Sequence, residues 1–163
     1  MQGTLQHPRK LAKQDLSSLE DFASGSNELD TWLKKYSWQN QRANNAVVYV
    51  STLDTKIVGF YALAAAGVSK EELGEDFGKR RPTDIPCILL ARLAVDSKAQ
   101  NRGVGRSLLV DAIKRAREVS DSIGAAALIV HCQDLNAKKF YQRSGNGLFL
   151  PFPGDELKLM LPI

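Results

Sequence analysis

Cysteine, histidine, methionine and tryptophan each occur only twice in the 163 residues, and aromatic residues make up only 7%. Cys87 and Cys132 sit in apolar segments without metal-ligand spacing, which argues against a zinc site and a disulfide scaffold. No metal is expected, and both thiols are expected to stay reduced in the cytoplasm. His7 and His131 lie too far apart in sequence to read as a pair, and His131 at a strand end reads as structural. No run approaches the roughly 20 apolar residues that cross a bilayer. Met1 to Lys13 lacks an apolar core and a signal-peptide pattern, so no membrane association is expected. Repeats, low-complexity runs and linkers are missing too, and the length predicts a single domain over residues 1–163. Hydrophobic residues at 44% and charged residues at 25% exclude a disordered chain.

Charge is present, and it is unevenly placed. The net charge is only +4, from 22 basic and 18 acidic residues. Residues 1–78 carry −2, residues 79–117 carry +7, and residues 118–163 carry −1. A central basic block implies an anionic partner such as nucleic acid, phosphate or a phosphorylated cofactor. The competing reading is a solvated basic helix face.

Leu29, Trp32, Leu33 and Tyr36 follow helical spacing after Ser26, a plausible N-cap. Residues 46–53 and 57–66 read as a hairpin of two strands across Asp54-Thr55. Residues 69–86 read as a short helix and loop, since Pro82 and Pro86 argue against regular structure. Cys87 to Val95 is a nearly continuous apolar run, as in a central strand buried on both faces. From Gly105 a long helix is predicted, with Leu108, Leu109, Ala112, Ile113, Ala116, Val119 and Ile123 as its apolar stripe and Gly124 as its end. A buried strand at 125–131 follows. Asp134 then caps a helix from Leu135 to about Arg143, and strands at 149–152 and 157–161 close the chain. The order predicts an α/β protein with a central mixed β-sheet flanked by helices.

The sharpest motif is Gln100-Asn101-Arg102-Gly103-Val104-Gly105-Arg106-Ser107, between a buried strand and a long helix. Glycines admit close backbone approach, and a helix N-terminus adds partial positive charge, which together suit a phosphate or pyrophosphate. Arg102 and Arg106 add full charges. The loop lacks the Gly-Lys-Ser/Thr of a Walker motif and the third glycine of a dinucleotide fingerprint, where Leu108 stands. The alternative is a glycine-rich helix start without a ligand.

Gln100-x-x-Gly103-x-Gly105 after Leu93-Ala94-Val95 resembles motif A of the GNAT acyltransferases, and Ala137 to Tyr141 resembles their motif B. The resemblance spans nearly the whole chain and implies the GNAT fold and acetyl-CoA as cosubstrate. It implies that Leu93 and Val95 pair with the pantetheine arm. The loop from Arg102 to Ser107, entered through Gln100 and Asn101, would hold the pyrophosphate, and the Tyr141 helix would lie beside the thioester. Asp134 stands where many members place a cofactor-contacting Asn, and Lys138 is a further candidate for phosphate. The usual Gly-Phe after the tyrosine helix is replaced by Gly145-Asn146-Gly147-Leu148-Phe149, with Phe149 the candidate for its place.

A narrower resemblance lies in residues 21–25, Leu29-Asp30-x-Trp32-Leu33-Lys34, residues 58–64, Ile85-Pro86 and residues 90–96. These are similar to the TacT-like acetyltransferase toxins of bacterial toxin–antitoxin pairs. That branch acetylates the free α-amino group of aminoacyl-tRNA and blocks translation. It implies a bacterial cytoplasmic protein, a homodimer, and an antitoxin partner with a ribbon-helix-helix DNA-binding domain. It also implies that Tyr141 is essential; Tyr141 is the candidate general acid for the thiolate, the alternative being an aromatic helix residue that packs on the sheet beside Phe140.

The expected central strand contains no carboxylate for a general base, and Asp96 just beyond it reads as a turn residue. Without a base, a nucleophile that is already partly neutral is favoured. An α-amino group titrates near ~8 and lysine near ~10.4, so an aminoacyl ester fits better than a lysine side chain. Lys79, Arg80 and Arg81 are candidates for tRNA backbone contacts. Arg92 interrupts the apolar strand and must reach either the tRNA acceptor end or an internal salt bridge. Lys114, Arg115 and Arg117 read as the polar outer face of the long helix. Two other functions stay open: a GNAT enzyme for a small amine or protein N-terminus, and a non-catalytic RNA-binding module.

Overall fold

The computed structural model describes residues 3–163. Among them seven strands are named, β1 (Arg9–Lys10), β2 (Val47–Leu53), β3 (Lys56–Ser69), β4 (Asp84–Val95), β5 (Ala127–His131), β6 (Leu150–Phe152) and β7 (Asp155–Pro162). They form one mixed sheet in the order β1-β2-β3-β4-β5-β7-β6. The helices are α1 (Asn27–Thr31), α2 (Ser37–Arg42), α3 (Lys70–Leu73), α4 (Glu75–Gly78), α5 (Val104–Ile123) and α6 (Leu135–Ser144). A π-helical turn, Trp32–Tyr36, joins α1 to α2.

The chain divides into two compact units. The first comprises residues up to Ala64 together with Ala91–Asp111. Ser26 caps α1, its Oγ accepting from the Leu29 N–H at 3.3 Å. Leu33 is fully buried, with Phe22, Val48, Val50 and Phe60, and each such side chain contributes about 1.5–3 kcal/mol by leaving water. Leu29 and Trp32 pack against this core, but Tyr36 is 47% exposed. The π-turn therefore ends the expected stripe one residue early. The Asp54-Thr55 turn has φ of 51° and 69°, the left-handed pair that matches the twist of a two-residue hairpin. In that hairpin β2 and β3 pair antiparallel, and Tyr49 opposite Tyr61 stacks at 5.0 Å. β1 and a 3₁₀ turn at Lys13–Ser18 were not expected from the sequence, and Arg9 to Asp15 joins them at 2.8 Å.

The second unit comprises Ala65–Leu90 with Ala112–Ile163. There β4 pairs parallel with β5, Leu89 opposite Ile129, and β7 pairs antiparallel with both β5 and β6. Ile85, Cys87, Ala127, Ile129, Phe152 and Met160 form its core. The expectation that Pro86 stands outside regular structure is overturned, because β4 starts at Asp84. Pro86 contributes its carbonyl, accepting from the Ala126 N–H at 2.8 Å, near a strand start where a missing donor is tolerated. The apolar stripe of α5 also ends early. Ala112, Ile113 and Ala116 are buried, whereas Val119 and Ile123 are exposed on the last turns. Gly124 ends the helix at φ +78°, as its freedom from a Cβ permits.

Candidate functional site

The loop lies in the first unit. At the end of β4 Ala94 is buried, whereas Leu93 and Val95 are only half-buried. Asp96 ends the strand, with its carboxylate accepting from the Lys98 N–H at 2.9 Å and the Ala23 N–H at 3.1 Å. These bonds commit Asp96 to holding the turn, as its position suggested, and leave the Ala91–Val95 segment without a carboxylate. Gln100 donates from Nε2 to the carbonyls of Ser24 (3.1 Å) and Val95 (3.2 Å), so its side chain anchors the loop entry.

Asn101 (φ 64°) and Gly103 (φ 81°) turn the chain in the left-handed region, and a Cβ on Gly103 would meet nothing within 4 Å. The space in front of the helix start is open. Ser107 N–H donates to the Gly103 carbonyl at 3.0 Å, so intrahelical bonding begins there. The amides of Val104, Gly105 and Arg106 precede it and face the end of a 20-residue helix with no acidic residue in its first turn. Open space, spare amides and the exposed Arg102 and Arg106 fit a diphosphate. Ser107 can offer a ligand its hydroxyl, its amide being used.

Behind the loop, Gly59 on β3 lets α5 approach. A Cβ there would stand 2.8 Å from Leu108 Cδ1, 3.0 Å from Val104 Cγ1 and 3.3 Å from the Ala94 carbonyl. The Tyr61 hydroxyl donates to the buried Asp111 carboxylate. Sequence reasoning passed over this pair, although a carboxylate three residues beyond Leu108 on the apolar face of α5 was a signal for it.

Arg92 is also in this unit. Its guanidinium carbon sits 4.3 Å from the centre of the Trp32 ring. The internal salt bridge considered for it is not made: among the described residues no hydrogen bond or ion pair involves it. Burial lowers its pKa from the ordinary value, with the charge of Glu28 opposing.

Tyr141 lies on α6 in the second unit. Asp134 caps that helix, its Oδ1 accepting from the Ala137 N–H at 2.8 Å, which occupies one oxygen of the residue expected at the cofactor. Lys138 is half-buried one turn on. Tyr141 is buried, edge-to-face with Phe140 (5.1 Å) and with Phe149 (6.3 Å). Its hydroxyl makes no hydrogen bond with the described residues. Burial, reinforced by the nearby Cys132, drives its pKa well above the ordinary tyrosine value, so the phenol holds its proton. The Cys132 thiol is itself pushed up to about 11 by burial, which keeps it protonated and unreactive. Gly145 leaves room for this packing, since a Cβ there would lie 2.6 Å from the Phe149 ring and 2.7 Å from the Tyr141 carbonyl.

Lys79 and Arg80 in the same unit are exposed, and Arg80 has φ +65°. Arg81 is anchored instead, with Nε donating to the Phe77 carbonyl at 2.9 Å and its guanidinium over the Phe77 ring. His131 is exposed at the end of β5. No group of three or more His, Cys, Asp or Glu among the described residues could hold a metal ion.

A family model described as the acetyltransferase (GNAT) family matches residues 13–145. The chain is 38% identical over 154 residues to a tRNA-acetylating toxin of Mycobacterium tuberculosis, covering 94% of this chain and 90% of the relative. It is 30% identical over 151 residues to a probable toxin TacT of Sinorhizobium fredii, covering 87% and 83%. Among solved structures, AtaT complexed with acetyl-methionyl-tRNAfMet superposes with a TM-score of 0.86 at 25% identity, covering 98% of this chain and 95% of that one.

Proposed function

The chain belongs to the acetyltransferase (GNAT) family, and from that premise we propose that it transfers an acetyl group from acetyl-CoA to the free α-amino group of aminoacyl-tRNA, acting as a toxin that blocks translation. The similarity to a tRNA-acetylating toxin over 94% of the chain carries this reading. Acetyl-CoA, when bound, would supply the activated acetyl thioester. The amides of Val104, Gly105 and Arg106, with Arg102 and Arg106, would hold its pyrophosphate, and Gln100 and Asn101 shape that loop. The half-buried Leu93 and Val95 would offer main-chain groups to the pantetheine arm. Lys138 would meet a phosphate, and Asp134, which caps α6, would contact the cofactor through its remaining oxygen.

Tyr141 Oη holds the proton that the departing sulfur needs. Its raised pKa keeps that proton in place over the working pH range. Because Asp96 is committed to backbone amides, deprotonation of the attacking nitrogen is left to the substrate. An α-amino group with pKa near ~8 meets that condition better than a lysine near ~10.4. Lys79, Arg80, Arg81 and Arg92 would contact the tRNA, with Lys79 and Arg80 unconstrained in solvent. The same reading describes one catalytic domain in the bacterial cytoplasm. It also describes a homodimer restrained by an antitoxin with a ribbon-helix-helix DNA-binding domain.

Labelled acetyl-CoA incubated with charged and deacylated tRNA tests the proposal. Label on charged tRNA alone is expected. Label on a small amine or protein N-terminus, with charged tRNA untouched, would replace this reading.

A further inference from the structure

Within the first unit, β3 and α5 meet through two contacts. Gly59 makes the first: lacking a Cβ, it admits Val104 and Leu108, whose methyl carbons would stand 3.0 and 2.8 Å from one. Two residues further along β3, and so on the same face, the fully buried Tyr61 donates its hydroxyl to the Asp111 carboxylate. Val104, Leu108 and Asp111 are spaced four and three apart, which puts all of them on one face of α5. Tyr49, opposite Tyr61 in the β2–β3 register, stacks on its ring at 5.0 Å and backs it from the hairpin.

The two contacts differ in kind. Apolar contact is non-directional, so Val104 and Leu108 on Gly59 hold α5 down without fixing its place along its own axis. A hydrogen bond tolerates only a narrow range of distance and angle, so Tyr61 fixes that place. The two turns of helix from Asp111 back to Val104, about 10 Å, are rigid. The position set at Asp111 is therefore carried to the amides of Val104, Gly105 and Arg106. For stability alone a carboxyl group is a costly choice at a site only 6% exposed, since a well-packed apolar side chain is often as stable there.

We infer that Tyr61 and Asp111 are positioning residues for the acetyl donor: their hydrogen bond sets where α5 presents its first amides, and so how tightly the loop holds the diphosphate of acetyl-CoA. The inference rests on the reading of that loop as the diphosphate site. Two ligands test it, acetyl-CoA and S-acetyl-pantetheine, which has the same thioester and arm but no diphosphate. Calorimetry gives Kd for the first directly and for the second by competition.

The wild type is expected to prefer acetyl-CoA. Tyr61→Phe combined with Asp111→Leu replaces both partners by apolar groups, which is often close to neutral for stability. The double variant is expected to narrow the preference about tenfold, the weight of one hydrogen bond to a charged group, with a thermal midpoint near that of wild type. Tyr61→Phe alone, which keeps the carboxylate, is expected to narrow it in the same direction and carries the test if the double variant does not fold. A preference present in wild type and unchanged in the variants would overturn the inference, and equal weakening of both ligands, the mark of a merely structural pair, gives that same result. A wild type without any preference overturns the loop reading and this inference with it.

Discussion

Around the glycine loop, positions are fixed by polar groups that find backbone partners. Asp96 accepts from Ala23 and Lys98, Gln100 donates to Ser24 and Val95, and Asp30 accepts from the Ser24 amide and hydroxyl. Around Tyr141 the side-chain neighbours are rings, Phe140 and Phe149, with Gly145 making the space. The difference follows from what each region would do. A loop that presents amides to an anion must have its backbone held from behind without using those amides. The rings around the Tyr141 phenol disfavour its charged form, so it stays protonated, and they leave its oxygen without a hydrogen bond among the described residues. The two regions should therefore fail in different ways when altered.

Tyr141→Phe tests the packed region most sharply. It removes only the hydroxyl, so thermal stability and acetyl-CoA affinity should stay near wild type while kcat falls at least about 100-fold, the lower range for loss of a general acid. Turnover close to wild type would remove Tyr141 from the acid role. Gly145→Ala attacks the same packing from behind. Its Cβ cannot clear both the Phe149 ring and the Tyr141 carbonyl, so unfolding free energy should drop by about 1–3 kcal/mol, as overpacking typically costs. Denaturant melts would show it, and an unchanged midpoint would mean that the rings move aside.

On the loop side, Asp96→Ala removes a cap and a tie to Ala23. A loss of about 0.5–2 kcal/mol is expected. KM for acetyl-CoA should rise more than kcat falls. A purely kcat effect would instead place Asp96 in the chemistry.

These contrasts were only partly readable from the chain. The glycine loop, the Asp134 cap and the long α5 are local patterns, in which neighbours in sequence are also neighbours in space. The β4 and β5 strands were legible as apolar runs on either side of a long helix, whereas their parallel pairing came from the structure. The Trp32–Arg92 stack joins residues 60 positions apart, and Tyr61 reaches Asp111 across 50. A charge inside an apolar run announces that it needs a partner without saying which. The ends of the helical stripes at Tyr36 and Val119 were missed because the periodicity continues in the sequence after burial stops. Pro86 was misread because its cost depends on whether the strand asks for its N–H.

The smallest effect concerns acid. In the polar-anchored unit Asp15 accepts from Arg9 through both oxygens at 2.8 Å and from the Ala12 N–H at 2.8 Å. The Arg9 guanidinium holds its pKa below the ordinary carboxylate value despite opposing burial. A carboxylate with a depressed folded pKa binds fewer protons in the folded state than in the unfolded one at intermediate pH. Its stabilising contribution is therefore fully present above the unfolded value of about 3.9 and is lost as pH falls through the folded value. Thermal melts from pH 6 downward should show the wild type losing stability below about pH 4. Asp15→Asn should start lower and show a shallower acid slope, because the group that titrates is gone. Arg9 is half exposed, so the difference should be modest and should shrink in high salt. If the two proteins lose stability in parallel, the acid sensitivity resides in other carboxylates and the Arg9–Asp15 pair contributes nothing to it.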